Sequence, residues 1–479
     1  MIFKYLLLFV FYKYSVWAID DFGFDVLNLR QEIEAVKVEI LGTNNASFDV
    51  LIIVRSQVGE YHQKRLEQFE GNLRKQIHDE YTLIFAIVCL HEIETVVQGS
   101  WTLIPLIQHE FRFVQSAKWV IITEDSTELN LSKLSSFLST KDPVLPQYFG
   151  HCIIDKKPVI IHHFWPYTMD KITLKYPLFA SGVIFSQTVV RYLSELDMDD
   201  HIPSNIPYTT IDIQHEIAKL ISTTQLVNLT CEESFCVEKD RHCMTWVNVQ
   251  MNKGCENKDY TYEGLSIAVK TYAENYSTRL QLIIKTWLSD TRDITKFFTH
   301  SLENTSQFDG EINFIDVGFN NTGGGHCQKM LFIMKYFLQN EKGHWLAIID
   351  DDTFINMERL TRILSCINPE SEAIILGERY GFLQIEDGGY PYITGGGGIL
   401  INRKAIRKFI DEDVYCPVGA PDDMWLGMHS KVHGIIMLDF PNFHQSVEST
   451  YHKDYIKSFM PVTYHRIGTV KEYEDTLKG

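Results

Sequence analysis

Residues 344–360 read HWLAIIDDDTFINMERL: an apolar run, three consecutive aspartates, a second short apolar run, then the start of a helix near Met357. Leu346 to Ile349 has the apolar character of a buried strand. Side chains alternate along an extended chain, so Asp350 and Asp352 point one way and Asp351 the other. Carboxylates gathered at a strand end can hold a hard divalent cation and leave room for phosphate oxygens. For an isolated triplet, the competing reading is an acidic turn capping the next helix.

The same sentence occurs earlier in thinner form. Residues 119–134 read WVIITEDSTELNLSKL, and Trp119, Asp125, Thr127 and Asn130 match Trp345, Asp351, Thr353 and Asn356 at one offset of 226 (119 to 345). Further on, YPLFASGVIF from Tyr176 parallels YPYITGGGGILI from Tyr390, and Gly182 meets Gly398 at an offset of 216 (182 to 398). IPYTTIDIQHEIAKLI from Ile206 parallels APDDMWLGMHSKVHGI from Ala420, with Pro207 on Pro421 at an offset of 214 (207 to 421). Three echoes in one order, with drifting offsets, indicate an internal duplication.

Within the second copy, LSIAVKT (265–271), INFIDVG and WLAIID read as strands. Leu280, Ile283, Ile284, Trp287 and Leu288 recur at helical spacing, and KMLFIMKYFL is helical in character. Alternation of this kind predicts an α/β fold, two tandem Rossmann-type domains with mostly parallel sheets covered by helices. Ligands of such sheets gather at the carboxyl ends of the strands, where the aspartates fall.

Other motifs follow in order: GERYGF, the glycines Gly395 to Gly398, PDDMWLG (421–427) and FHQS (443–446). Alone, a glycine run is a loop, Asp422-Asp423 a helix cap and His444 an ordinary half-buried histidine. Together they supply a metal carboxylate, an acidic pair for general-base work and an imidazole ligand.

Residues 265–446 resemble the fringe-type β-1,3-glycosyltransferases, inverting enzymes of the GT-A fold. The resemblance lies in AVKT with RLQLIIKTW, WLAIIDDDTFIN, GGGGILINRKAI, PDDMWLG and FHQS. GERYGF, YITGGGG and APDDM are most similar to the branch that adds β-1,3-glucose to O-linked fucose on thrombospondin type 1 repeats, and the N-terminal half resembles that branch too. The resemblance implies Mn²⁺ on Asp352 and His444, Asp350 and Asp351 near the ribose and donor sugar, and Thr271 and Arg279 against UDP. It makes Asp423 the catalytic base with Asp422 beside it, and turns Gly396, Gly397 and Trp425 toward the sugars. UDP-glucose is the implied donor, and fucosylated thrombospondin-repeat proteins are the implied acceptors. The alternatives are a fringe-like β-1,3-N-acetylglucosaminyltransferase or β-1,3-galactosyltransferase, and, from another class, an inactive carbohydrate-binding scaffold.

The first copy reads as degenerate. Ser126 stands where Asp352 would bind metal, Tyr208 and Thr209 where Asp422 and Asp423 would act, and no FHQ-like sequence follows Leu220. A hydroxyl is a poor metal ligand and no useful base at neutral pH. The expectation is a domain that packs or binds the acceptor protein without catalysing.

Bulk properties agree. A formal charge of −18 without a basic run argues against a nucleic-acid partner. Lys4, the apolar stretch Tyr5 to Tyr12 and Val16-Trp17-Ala18 have the layout of a secretory signal peptide, with an uncleaved signal anchor as the alternative and the sole route to membrane attachment. Sequons at Asn45, Asn130, Asn228, Asn275, Asn304 and Asn320 fit secretion. Cys231, Cys236, Cys243 and Cys255 cluster without a CxxC pair, which favours disulfides over zinc and leaves three pairings among the four. The expected organisation is a signal segment at 1–18, the degenerate domain at 19–225, a Cys-rich connector at 226–258 and the catalytic domain at 259–479. The expected compartment is the lumen of the endoplasmic reticulum, with the Golgi as alternative because the chain ends DTLKG rather than in a KDEL-like signal.

Overall fold

The computed structural model describes residues 31–478 apart from 42–46, 78–82, 110, 155–160, 162–173, 199–208, 256–263, 309, 320–325, 385–387, 412–413 and 418. The signal segment, Asn45, Asn320 and Tyr208 lie outside the described residues.

Among the described residues, two seven-stranded sheets form the frame of the fold. The first runs Glu39–Ile40, Phe85–Cys89, Val50–Arg55, Trp119–Glu124, Val183–Ser186, Tyr148–Gly150, Thr230–Cys231. The second runs Phe314–Asp316, Thr295–Thr299, Leu265–Lys270, Trp345–Asp350, Ile399–Asn402, Ile374–Gly377, Ile436–Asp439. In each, the strand ahead of the acids is parallel to the one on its left and antiparallel to the one on its right. Val50 faces Trp119 as Leu265 faces Trp345, and Arg55 faces Glu124 as Lys270 faces Asp350. The left edges differ: Glu39–Ile40 is antiparallel to its neighbour and Phe314–Asp316 parallel. The chain is therefore two tandem α/β domains that share the order of six strands and differ at one edge.

Both faces of each sheet are covered, which explains the unbroken apolar runs. Trp345, Ala347 and Ile349 pack on one side and Leu346 and Ile348 on the other. Trp119 and Ile121 divide from Val120 and Ile122 in the same way. Each fully buried aliphatic side chain contributes roughly 1.5–3 kcal/mol relative to exposure. Asn130 and Asn356 both cap the following helix, their side chains accepting from the backbone N–H of Lys133 and Arg359. Gly182 and Gly398 enter the antiparallel strands at φ of 86° and 95°, and a Cβ on Gly398 would stand 3.2 Å from Ile349 Cγ2.

Three expectations change. The helix expected from Leu280 to Leu288 is broken: a wide turn at Tyr276–Leu280, a short helix at Gln281–Ile284 and a tight turn at Leu288–Asp290. Its apolar residues still reach the core. The stretch from 226 is not a free connector, because Thr230–Cys231 closes the first sheet and Thr245–Val247 pairs with Thr127–Leu129. Of the four clustered cysteines only Cys236 and Cys243 pair together; Cys231 bonds Cys152 and Cys255 bonds Cys366, with Cys327–Cys416 as a fourth bridge. Cys152 arrives on the strand Cys152–Ile154 and Cys366 in the turn after the helix Met357–Leu364, so spacing among the four could not give the pairing.

The domains meet through the carboxyl edge of the first sheet. Thr209–Thr210 pairs with Arg379–Phe382 of the second half, and the Arg379 guanidinium lies 4.3 Å over Trp101. The Gln57 amide holds both the N–H and the carbonyl of Asp439, at 2.7 and 2.9 Å. Tyr61 stacks on Phe440 at 5.7 Å. The edge where the first copy would take a ligand is thus covered by its neighbour.

Candidate active site

The second sheet delivers its acids to a cleft of about 950 Å³ lined by residues including Lys270, Thr271, Arg279, Lys329, Asp350, Asp351, Asp352, Asp422 and His465. Lys270 ends the strand beside Asp350, and its ammonium reaches Asp350 at 3.1 Å and Asp422 at 2.6 Å. Burial opposes the ammonium, but the two carboxylates raise its pKa above the ordinary lysine value.

Asp351 lies in the turn just past the strand end at Asp350, where the alternation expected of an extended chain stops; it is 2% exposed and shares Arg279 Nη1 with Asp352. Its carboxylate accepts from Thr271 Oγ1 at 2.8 Å, Asn275 Nδ2 at 2.8 Å and Arg279 Nη1 at 2.6 Å. Burial nonetheless raises its pKa, against these three bonds. Lys329 stands behind, donating to the Thr271 carbonyl at 2.8 Å; burial, then the charge of Lys270, pushes its pKa down to about 8.

Asp352 lies 3.0 Å from both Arg279 and His465 Nε2. Burial works to raise its pKa, and His465 followed by Arg279 holds it below the ordinary value. One ligand atom from each of Asp350, Asp352 and His465 lies within 4.8 Å of the others. Two carboxylates and an imidazole suit a divalent cation such as Mn²⁺, with positions left for diphosphate oxygens.

His444, expected as the metal histidine, is corrected. It is fully buried, stacked at 5.0 Å on Tyr464 with Tyr451 at 4.7 Å, and burial pushes its pKa down to about 3. The imidazole at Asp352 comes instead from His465, at the end of Thr463–His465, which pairs with Thr353–Ile355 directly behind the aspartates. No local motif marks His465; only the register of two distant strands brings it there.

Asp422 and Asp423 open the helix Asp422–Val432. Burial would raise Asp422, but Lys270 lowers it overall. Asp423 accepts from Gly395 N–H at 3.2 Å, and burial, then the Asp422 charge, pushes it up to about 6. The counterpart of this contact in the first copy is Gln214, whose Oε1 accepts from Phe179 N–H at 2.9 Å. Gln214, rather than Thr209, therefore stands opposite Asp423. Thr209 belongs to the strand that crosses to the other domain.

The sugar-facing trio is also corrected. Gly396 and Gly397 are buried, and a Cβ on Gly396 would stand 2.5 Å from His465 Nδ1 and 2.6 Å from Gln445 Oε1. They admit the FHQS strand and the His465 ring rather than line an open groove. Trp425 is 2% exposed, stacked on Phe409, with its Nε1–H donating to the Tyr415 carbonyl at 2.9 Å. It belongs to the core. Among the described sequons, Asn228 and Asn304 are exposed and Asn130 half-buried. Asn275 is 8% exposed with its amide on Asp351, so it serves the site and not a glycan.

In the first copy the same positions are closed by ion pairs. Arg55 binds Glu124, and Asp125 is held by Arg65 at 2.7 Å and His62 at 2.9 Å. Ser126 accepts from Asn252 at 3.3 Å.

A family model described as fringe-like matches residues 260–475. A human protein named β-1,3-glucosyltransferase is 32% identical over 436 residues, covering 88% of this chain and 84% of that protein. Its mouse counterpart is 32% identical over 435 residues, covering 89% and 86%. The newt Notophthalmus viridescens radical fringe, named a β-1,3-N-acetylglucosaminyltransferase, is 28% identical over 211 residues, covering 39% of this chain and 52% of that protein.

Proposed function

This chain belongs to the fringe-like β-1,3-glucosyltransferase family, and on that premise we propose that it transfers glucose from UDP-glucose, with inversion, to O-linked fucose on thrombospondin type 1 repeats. One observation carries the choice of sugar: the glucosyltransferase relatives match both halves of the chain, the fringe relative only 39% of it. The four disulfides support action in the oxidising lumen of the secretory pathway, and we assign the endoplasmic reticulum.

In the proposed mechanism Asp350, Asp352 and His465 would hold Mn²⁺, which when bound would supply Lewis-acid stabilisation of the diphosphate leaving group. Thr271, Asn275 and Arg279 fix Asp351 in the cleft, where it would face the nucleotide. Asp422 is engaged by Lys270 and serves as its counter-ion, which leaves Asp423 as the base. A carboxylate raised to about 6 is still ionised at neutral pH and takes the proton of the acceptor 3-hydroxyl more readily than an ordinary aspartate. That oxygen attacks the anomeric carbon as the bond to UDP breaks, and one displacement inverts the centre. The test is turnover of purified protein with UDP-glucose, UDP-N-acetylglucosamine and UDP-galactose, with Mn²⁺, on fucosylated and unfucosylated repeats. Transfer of glucose to the fucosylated repeat alone is expected. Transfer of N-acetylglucosamine instead would establish the fringe-like alternative.

A further inference from the structure

GERYGF, singled out by sequence, has no part in the mechanism above. Its strand Arg379–Phe382 lies between the two domains. Glu378, just ahead of it, lines a small interdomain cavity of about 70 Å³ together with Arg55, Glu124, Asp212 and Asp439. The Glu378 carboxyl turns toward the FHQS segment and accepts from the Gln445 backbone N–H at 2.9 Å. The Gln445 carbonyl in turn lies 3.1 Å from His465 Nδ1, and His465 Nε2 lies 3.0 Å from Asp352. The Gln445 side chain is pinned as well, its Oε1 accepting from Thr394 Oγ1 at 2.7 Å and Gly397 N–H at 3.0 Å.

A carbonyl at Nδ1 demands a proton there. Nε2 is then the free lone pair, as a metal-binding imidazole needs. We propose that Glu378 is a positioning residue for the metal site, holding the Gln445 backbone so that its carbonyl fixes the tautomer and direction of His465. This rests on the reading of His465 as a metal ligand.

The strand bearing Glu378 is itself buttressed by the first domain. Thr209 pairs with Phe382, Trp101 covers Arg379, and Gln57 holds Asp439, whose carboxylate accepts from Arg379 N–H at 3.0 Å. The degenerate copy thus supports the metal histidine through its covered edge. Burial, with Asp439 and Asp212 nearby, pushes the Glu378 pKa up to about 8 against the Gln445 bond. Its part is that of a hydrogen-bond acceptor, which an amide oxygen reproduces.

Two near-isosteric variants of the full chain separate reach from acidity. Glu378→Asp keeps the carboxyl and shortens the side chain by one methylene; Glu378→Gln keeps the length and an acceptor oxygen but removes the titratable group. Mn²⁺ affinity, read by electron paramagnetic resonance without nucleotide, is expected to fall about tenfold in the Asp variant and to stay within about twofold in the Gln variant. Saturating Mn²⁺ is expected to restore kcat in the Asp variant. Unchanged affinity in Glu378→Asp, or equal loss in both variants, overturns the proposal. His465→Ala, run alongside, tests the premise: unchanged Mn²⁺ affinity there refutes the ligand itself, whereas loss there with none in Glu378→Asp refutes only the role of Glu378.

Discussion

Replacing Lys270 by Met keeps the length of the side chain and removes the one cation shared by Asp350 and Asp422. Lys270 and Asp422 are 9% and 13% exposed in their side chains, so this pair is screened little. At 2.6 Å and an effective dielectric constant of about 20, the gross attraction is ~6 kcal/mol, much of it offset by desolvation. Asp350 is 33% exposed and adds little after screening. The expected net loss is about 3 kcal/mol at pH 7, the lower end for stranding a buried charge. For a domain of this size that lowers Tm by about 6–12 °C.

The pH dependence has a definite sign. Lys270 holds the folded pKa of Asp422 below its ordinary value, so the stability it confers is present above the usual carboxylate range and is lost as pH falls through the depressed value. Without Lys270, Asp422 protonates at higher pH and the stranded charge disappears. The Tm difference between wild type and variant is therefore large at pH 7 and shrinks toward pH 4. Thermal unfolding by circular dichroism at both pH values reads it. An equal Tm difference at the two would refute the electrostatic account and leave only lost packing.

Asp423→Asn should abolish turnover while calorimetry still detects UDP binding with Mn²⁺, since the amide keeps the shape without the basicity. In the wild type kcat should fall as pH drops through about 6, where the raised Asp423 protonates, rather than near 4 as for an ordinary aspartate. His444→Phe should leave the Mn²⁺ concentration for half-maximal activity unchanged, because that ring lies among tyrosines away from the acids; a tenfold rise would return it to the metal site. Asn275→Gln should lower activity and leave the glycan mass untouched, whereas Asn228→Gln and Asn304→Gln should each lose one glycan by mass spectrometry without loss of activity.

Much of the fold and half of the site could be read from the chain alone. The apolar runs ahead of Glu124 and Asp350 announce strands buried on both faces, and the repeated Trp, Asp, Thr and Asn announce one topology used twice. Asp350, Asp351 and Asp352 are neighbours in sequence, so the strand that ends at Asp350 carries all three to the cleft together. Asp422 and Asp423 likewise stand side by side at one helix start. These are local facts, set by periodicity and adjacency.

What completes the site is non-local, and only the tertiary structure decided it. His465 rather than His444 meets Asp352 because Thr463–His465 pairs with the strand behind the aspartates. A change of one residue in that register would turn a different side chain to the cleft. Lys270 becomes a counter-ion through the parallel register that sets it beside Asp350, and Asn275 leaves the glycosylation pattern for the site because the tight turn Ala273–Asn275 sets its amide against Asp351. Gln214 displaces Thr209 as the counterpart of Asp423 by the same logic: a drifting offset cannot tell which residue opens a helix, but a hydrogen bond to Phe179 can. Side chains distant in sequence carry no mark of the partner they will meet, since that meeting is fixed by strand register and by packing between domains.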